Sequence, residues 1–254
     1  MIILTDANNY ARRVFEVDPT GLAYRKILRD VQFSKDVNIF VWDSYNSNAR
    51  RREIYPQYKM RRVTPGEDMF KSMKMLKDVL RHSHAMQIEV PTYEADDVIS
   101  SLCTSVADRI HIVSTDRDFL QLASNDGRVT CDATPKTGVQ AKDTLLYKIT
   151  VGDASDNISG CKGFGHKSYE AADKAVLKRF IKSLIYKASF DKTEIIQTVK
   201  PALVDWMIEN AELIRTYNKI INFFDVSQDL LDKNLKIGDR NYAKADAMLK
   251  EFYL

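Results

Sequence analysis

Short apolar runs alternate with longer amphipathic segments along the first half of the chain. Apolar residues recur at helical spacing in segments 21–33, 67–86 and 95–107, which predicts three helices whose apolar faces point inward. The intervening runs are rich in β-branched residues and too short for helices, so they predict buried parallel strands. These strand-like runs are residues 2–5, 37–42 and 109–114, with a weaker one at 88–90.

The pattern changes after about residue 132. Few strand-like runs remain, and the predicted helices cover residues 142–151, 168–185 and 201–224, with Pro201 in a first turn where proline is tolerated. We therefore expect an α/β domain at 1–132 and a helical region at 133–254, without internal repeats.

Composition excludes several protein classes. With 254 residues, 44% hydrophobic and 29% charged, the chain is neither a disordered tail, a collagen nor a coiled-coil rod. No run approaches the ~20 apolar residues that cross a bilayer, so no membrane partner is expected. The three cysteines form no CxxC pair, which disfavours a zinc ribbon and favours a reducing cytoplasm. We expect a soluble cytoplasmic protein.

Charge is segregated although the net charge is only +3. Among the charged residues of segment 94–118, acids predominate. The segment from residue 50 to 62 is basic and contains a single acid, Glu53. Its basic residues are Arg50, Arg51, Arg52, Lys59, Arg61 and Arg62. One interpretation is salt bridging on a solvated surface. The other is a carboxylate metal site beside a basic segment that gathers phosphates.

The positions of the acids favour the metal site. Asp6, Asp43 and the pair Asp116 and Asp118 each follow a predicted strand, and the carboxyl ends of parallel strands meet at one sheet edge. Any one of these acids could instead cap the next helix. Together they would repel one another without a cation. Oxygen donors without His or Cys indicate Mg²⁺ or Mn²⁺ rather than zinc.

Further acids extend this set. Glu94, Asp96 and Asp97 begin a predicted helix, where the helix dipole favours negative charge. Glu94 and Asp97 share a helix face and Asp96 points elsewhere, so the cluster could serve two ions. Asp153 and Asp156 lie in a loop before a glycine-rich turn.

The glycine-rich turn at 160–168 resembles a nucleotide-binding P-loop in its glycine separation. His166 occupies the position of the required lysine and no apolar strand precedes the turn, so nucleotide binding is rejected. A hairpin between helices would instead offer backbone N–H groups and positive charge to a DNA phosphate. The alternative is a tight helix–helix turn. The residues of this candidate DNA-binding hairpin are Gly160, Lys162, Gly163, Gly165 and Lys167.

Five motifs in this order resemble the 5′ nuclease family, which includes phage 5′–3′ exonucleases, flap endonucleases and the 5′ nuclease domain of bacterial DNA polymerase I. They are Asp6-Ala7-Asn8-Asn9, Tyr55–Lys59 with Arg62, Tyr93–Asp97, Ser114–Asp118 and Gly152–Lys167. The resemblance spans residues 1 to about 185. It implies a PIN-like parallel-sheet nuclease core, a short gateway or arch at about 50–68, and a helix–three-turn–helix at about 150–180.

The resemblance also implies roles for individual residues. Asp97 would support two metal groups, the first formed by Asp6, Asp43, Glu94 and Asp96, the second by Asp116, Asp118, Asp153 and Asp156. In the gateway, Lys59 and Arg62 would contact the scissile phosphate, Tyr58 could stack on a base, and Arg61 would add DNA contact. The carbonyls of the 160–167 turn could hold a K⁺ ion. Ser159 stands where the family usually has proline or arginine, and Phe164 stands where it usually has isoleucine. We expect the hairpin to tolerate both differences.

The implied activity is two-metal hydrolysis with Mg²⁺, for which Mn²⁺ could substitute. The implied substrates are DNA 5′ ends, flaps and nicks, and RNA primers paired to DNA, in replication or repair. We expect a monomer in a bacterial or phage-infected host cytoplasm, with replication proteins as candidate partners. Two alternatives stay open: a PIN-like ribonuclease, which would not need the hairpin, and a non-catalytic structure-specific DNA-binding protein, which would not need the acids.

Overall fold

The computed structural model describes residues 1–17, 22–63, 65–123 and 125–252. Residue 21, at the start of one predicted helix, and residue 64 of the predicted gateway lie outside them. Contacts divide the chain into two compact units. The sheet unit comprises Met1–Ser47, Val63–Thr134 and Phe224–Leu254, and the helical unit comprises Asn48–Arg62 and Pro135–Phe223.

The elements alternate between strands and helices in the sheet unit and are helical in the other. The strands are β1 (Ile2–Asp6), β2 (Val37–Val41), β3 (Met86–Ile88), β4 (Ile110–Val113), β5 (Val129–Cys131) and β6 (Leu235–Ile237). The helices are α1 (Ala7–Val17), α2 (Leu22–Phe33), α3 (Ala49–Ile54), α4 (Glu67–Leu80), α5 (Ala95–Ser105), α6 (Thr144–Val151), α7 (His166–Ala171), α8 (Lys174–Tyr186), α9 (Lys192–Ile195), α10 (Pro201–Glu209), α11 (Ala211–Ile221), α12 (Gln228–Asn234) and α13 (Tyr242–Phe252). Short 3₁₀ helices cover Arg117–Gln121 and Ala141–Asp143.

The six strands form one sheet in the order β5-β4-β1-β2-β3-β6. β1 pairs in parallel with β2 and β4, so that Leu4 lies beside Ile39 and Ile112. All three side chains are buried, as β-branched and aliphatic residues in a central parallel sheet should be. The prediction of an α/β fold with a parallel core is confirmed.

Two short strands were not predicted. β5 extends the parallel sheet beside β4, whereas β6 pairs antiparallel with β3 at the other edge. Each is only three residues long, too short for a two-residue alternation to stand out. Their strand character is set by an available sheet edge rather than by local sequence.

Helix α4 carries the predicted apolar stripe into the core of the sheet unit. Leu76, Val79 and Leu80 are fully buried among residues of α2, α13 and the sheet. The helix ends at Leu80, six residues earlier than the predicted end at residue 86. A turn follows, in which the Ser83 hydroxyl donates to the Leu80 carbonyl at 2.8 Å, and the chain then enters β3.

Two long predicted helices are broken in the structure. Segment 168–185 divides into α7 and α8 because Asp173 caps α8, its carboxylate accepting the N–H groups of Ala175 at 2.8 Å and Val176 at 3.0 Å. Segment 201–224 divides into α10 and α11 at Asn210. The division lets both shorter helices turn their apolar faces to one core, which includes Met207 and Tyr217.

The observed units differ from the predicted domains at two places. The break at residue 135 lies close to the predicted 133, but the end of the chain returns to the sheet unit, where Ala245 and Leu249 of α13 are fully buried. Residues 48–62 belong to the helical unit. There Arg51 donates to the carbonyls of Ile220 at 2.9 Å and Asn222 at 3.3 Å.

Among the described helices, none has the length and apolar character that crossing a bilayer requires.

Candidate active site

Three carboxylates of the sheet unit converge beyond the carboxyl ends of its strands. One oxygen each of Asp96, Asp116 and Asp118 lies within 4.8 Å of the other two. At an effective dielectric constant of about 20, each pair of unit charges at this distance repels by about 3 kcal/mol. A divalent cation would reverse this penalty. The donors are hard oxygens, which fit Mg²⁺ or Mn²⁺.

Asp6 ends β1 and is electrostatically joined to this group. Its pKa is raised from 3.8 to about 7, first by burial and then by the negative charges of Asp43 and Asp116, although two hydrogen bonds act in the opposite direction. These bonds come from the Asn9 N–H at 3.1 Å and the Ser114 hydroxyl at 2.9 Å. Asp6 is therefore a buried acid that a nearby cation would help to ionise.

Asp43 connects the end of β2 to the start of α5. Its carboxylate accepts the Ala95 N–H at 2.8 Å, and its own N–H donates to the Asn8 side chain at 2.9 Å. Sequence analysis predicted Asp43 as a metal ligand but assigned no role to Asn8. Asn8 thus orients a candidate ligand through its backbone.

Asp97 is used by the backbone. Glu94 and Asp97 form a reciprocal capping box at the start of α5, and both are buried. The Asp97 carboxylate accepts the N–H groups of Glu94 at 3.3 Å and Phe224 at 2.7 Å. Asp97 therefore holds the helix start that carries Asp96. The two acids have the spacing of a capping box, with Glu in place of the usual Ser or Thr and Asp in place of the usual Glu or Gln.

The family resemblance assigned Asp96 to the same metal group as Asp6, Asp43 and Glu94, and the structure brings it close to two acids of the other group, Asp116 and Asp118. Asp116 also caps the following 3₁₀ helix, accepting the Asp118 N–H at 2.9 Å. Helix capping and metal binding, treated as alternatives from the sequence, are thus compatible functions of one carboxylate.

Asp153 and Asp156 lie in the helical unit and flank a lysine that the sequence interpretation missed. The Lys148 ammonium is 2.6 Å from the Asp153 carboxylate and 3.4 Å from that of Asp156. Burial would raise the pKa of Asp153, but Lys148 and hydrogen bonds from Ser155 outweigh burial and hold this pKa below its ordinary value. A second ammonium, that of Lys59, lies 3.9 Å from Asp156. A cation approaching these two acids would compete with Lys148.

The candidate gateway residues divide into buried and exposed ones. The prediction that Tyr58 stacks on a base is corrected, because its side chain is only 3% exposed within the core of the helical unit. The Lys59 ammonium lies 4.9 Å from the Tyr58 ring centre. Arg51, part of the basic stretch, is also buried and binds helix carbonyls instead of facing solvent. Arg61 and Arg62 are exposed.

The glycine-rich hairpin connects α6 and α7 through tight turns. Gly152 and Gly160 adopt φ values of 98° and 68°, which favour glycine. A Cβ atom on Gly160 would lie 2.4 Å from the Val151 carbonyl carbon, so no larger residue fits. The remaining candidate DNA-binding residues of the turn, Lys162, Gly163, Gly165 and Lys167, are all exposed.

A family model described as the N-terminal resolvase-like domain of 5′-3′ exonucleases matches residues 1–148. The chain belongs to this 5′-3′ exonuclease family. The match spans β1 to most of α6 and so contains every acid of the sheet-unit group. The resemblance predicted from the five motifs is confirmed.

Relatives of this 5′-3′ exonuclease family member include longer enzymes. The thermostable DNA polymerase I of Thermus thermophilus is 28% identical over 191 residues, covering 66% of this chain but 23% of the polymerase. The chain thus spans about a quarter of the length of such polymerases. The flap endonuclease Xni of Shewanella piezotolerans is 32% identical over 190 residues, covering 65% of this chain and 73% of Xni.

A solved structure of the T5 5′-exonuclease with bound zinc shares the fold. It superposes with a TM-score of 0.68 at 18% identity and covers 98% of this chain and 99% of its own. At this identity the likeness establishes the architecture alone, a mostly parallel sheet with a helical second unit.

Proposed function

We propose that this chain is a divalent-metal-dependent 5′ nuclease that hydrolyses phosphodiester bonds near the 5′ ends of DNA. The observation that carries the proposal is the convergence of Asp96, Asp116 and Asp118 at the sheet edge in a chain of the 5′-3′ exonuclease family. The proposed substrates are 5′ flaps, nicked duplexes and RNA primers paired to DNA.

The proposed cofactor is Mg²⁺, with Mn²⁺ as a substitute. Bound divalent ions supply a nucleophilic water at neutral pH and stabilise charge on the leaving oxygen. In the sheet unit the proposed ligands are Asp6, Asp43, Glu94, Asp96, Asp116 and Asp118. Asp97 positions Glu94 and Asp96 through the capping box. We propose Asp153 and Asp156 as further ligands, with Lys148 as their competing counter-ion.

The proposed phosphate contacts come from the helical unit. Arg61 and Arg62 are exposed cations that can approach a DNA backbone. Lys59 is held near Asp156 and would have to turn away from it to reach the scissile phosphate. There it would stabilise charge that develops during cleavage.

The glycine-rich hairpin is the proposed duplex-binding element. Lys162 and Lys167 are exposed at its turn beside Gly163 and Gly165, where backbone N–H groups can approach a phosphate closely. The carbonyls of the turn are proposed to hold a K⁺ ion. A T5 D15 flap endonuclease has been solved with DNA and metal ions, and the Rad2 catalytic core with a DNA substrate. These likenesses support the proposal that this chain binds DNA.

The proposed setting is DNA replication or repair in a bacterial or phage-infected host cytoplasm. We propose a monomer that cooperates with replication proteins. Family membership and the hairpin geometry together weigh against the two alternatives. A PIN-like ribonuclease would not need the hairpin, and a non-catalytic DNA-binding protein would not need the acids.

The test compares three labelled substrates in Mg²⁺, Mn²⁺ and chelator: a duplex with a 5′ flap, a nicked duplex, and single-stranded RNA. We expect metal-dependent cleavage at the flap junction or release of nucleotides from the nick. Cleavage of the RNA alone would indicate the ribonuclease. Tight binding of the flap without cleavage in either metal would indicate a DNA-binding protein.

A further inference from the structure

The helical unit carries a groove of about 400 Å³ between α6, α8 and α11. None of the residues assigned to the candidate active site lines it. Its volume falls in the range of pockets that bind ligands or side chains. The groove is therefore separate from the candidate reaction centre.

The floor of the groove is aliphatic. Ile149 and Ile181 are buried at its base, and Leu145 and Ile185 are half-buried beside them. Such a concave aliphatic surface accommodates large apolar side chains and removes them from water. One aromatic residue, the exposed Tyr186, is among the described residues that line the groove.

The rim of the groove is strongly basic. Four lysines line it, and no lining residue in the described part of the chain is acidic. Helix α8 contributes to this charge because its sequence contains four basic residues and no acid. One neighbouring carboxylate, that of Asp143, lies 3.8 Å from one of the lysines and is itself buried. The rim lysines are Lys142, Lys178, Lys182 and Lys219.

We propose that this groove binds an acidic peptide segment of a partner protein. Carboxylates of the segment would pair with the rim lysines, and one or two large apolar side chains would occupy the floor. Complementary charge promotes encounter and correct register, while the buried apolar anchors supply most of the affinity.

The chemistry of the groove favours a peptide over a nucleic acid. Single-stranded nucleic acids combine basic grooves with aromatic platforms on which bases stack, whereas this floor is made of leucine and isoleucine. A duplex backbone would use the lysines but would leave the aliphatic floor unfilled. The combination of charge and apolar floor therefore matches an acidic, amphipathic peptide.

The test measures fluorescence anisotropy of a labelled peptide, Asp-Asp-Leu-Asp-Asp-Phe-Asp-Asp-Leu-Phe, with the full chain. We expect saturable binding. Replacing every Leu and Phe by Ser, or every Asp by Asn, should each weaken binding by at least about tenfold, since each removes one half of the recognition. Equal binding of the peptide that lacks apolar residues would overturn the proposal.

Charge reversal on the protein provides the second arm. The double substitution Lys182→Glu and Lys219→Glu should weaken peptide binding by at least about tenfold, while flap cleavage stays unchanged. Lys233→Glu, at an exposed position on α12 that does not line the groove, is the matched control and should bind peptide normally. If the double variant loses duplex DNA binding and keeps peptide binding, or if the native chain binds no peptide, the proposal is wrong.

Discussion

The acids of the sheet unit and those of the helical unit are held in opposite ways. Asp6 lies among other carboxylates, and its pKa rises to about 7. Asp153 lies against the Lys148 ammonium, and its pKa is lowered. One unit therefore concentrates negative charge that a divalent cation would relieve, and the other contains its own cation. An aspartate can therefore be a candidate metal ligand or one partner of an ion pair, depending on the charged groups that surround it.

The largest expected effect is on chemistry in the sheet unit. Asp116→Asn removes a charge shared by the three-carboxylate group and the environment of Asp6. We expect flap cleavage in Mg²⁺ to fall by at least about 100-fold because transition-state charge is less well stabilised. Binding of the flap substrate should change little.

The matched control is Asp108→Asn, which makes the same charge change at an exposed position outside the group. It should cleave normally. Full cleavage by the Asp116→Asn variant would show that the sheet-unit acids do not form the reaction centre.

The next effect concerns the stability of the sheet unit without metal. The pKa of Asp6 is raised from 3.8 to about 7, so ionising it costs the folded state up to about 4 kcal/mol. In chelator, stability should therefore fall as pH rises from about 4 through 7. Asp6→Asn should remove this dependence and raise the melting temperature at pH 8 by up to roughly 10 °C.

Thermal unfolding in chelator between pH 4 and 8 measures this effect. Added Mg²⁺ should stabilise the native protein at pH 8 more than the Asp6→Asn variant. A native melting temperature that is constant across this range, or that rises with pH, would contradict the raised pKa.

In the helical unit, removing a charge should lower stability instead of raising it, because the charge removed is a cation between two acids. Lys148→Met leaves the half-buried carboxylate of Asp153 and the buried carboxylate of Asp156 without this ammonium, which should cost about 3 kcal/mol at pH 8. The pKa of Asp153 is lowered in the native protein, so its contribution is present above 3.8 and lost as pH falls below that value. In the variant, millimolar Mg²⁺ should restore part of the lost stability.

Thermal unfolding with and without Mg²⁺ checks this expectation, with Lys233→Met as the exposed control. Equal Mg²⁺ responses in the variant and native proteins would mean that Lys148 does not compete with a cation.

A smaller effect is expected from the backbone of the hairpin. Gly160→Ala places a Cβ atom 2.4 Å from the Val151 carbonyl carbon at a φ of 68°, which should cost about 2 kcal/mol of stability. Duplex binding should weaken with it. Gly66→Ala is the control, because its added Cβ would meet no atom within 4 Å outside its own stretch of chain. Chemical denaturation of both variants tests the difference, and equal stabilities would contradict a strained turn.

The smallest effect is expected at a single phosphate contact. Lys167→Ala, at an exposed position of the hairpin, should flatten the slope of log binding constant against log salt by roughly 0.9. Cleavage of bound substrate should stay normal, in contrast to Asp116→Asn. Titrations of duplex DNA at several salt concentrations measure the slope, and an unchanged slope would remove Lys167 from the interface.

Much of this organisation follows from local pattern. The runs that form β1, β2 and β4, the acids at their ends and the capping-box spacing of Glu94 and Asp97 are all visible in the chain. These features arise within a few residues of one another, where side-chain alternation and helix-end chemistry act directly. The family motifs are likewise short and continuous.

Tertiary structure decided which of these groups meet. The partners of Asp96, the burial of Tyr58, the ion pairs of Lys148, and the return of α13 to the sheet unit all join residues distant in sequence or depend on a core that only the folded chain creates. Strand β6 depends in the same way on the free edge of β3. The sequence by itself therefore determined the elements and their chemical types, because these depend on neighbouring residues. Burial and charge pairing were left to the fold, because they depend on long-range contacts.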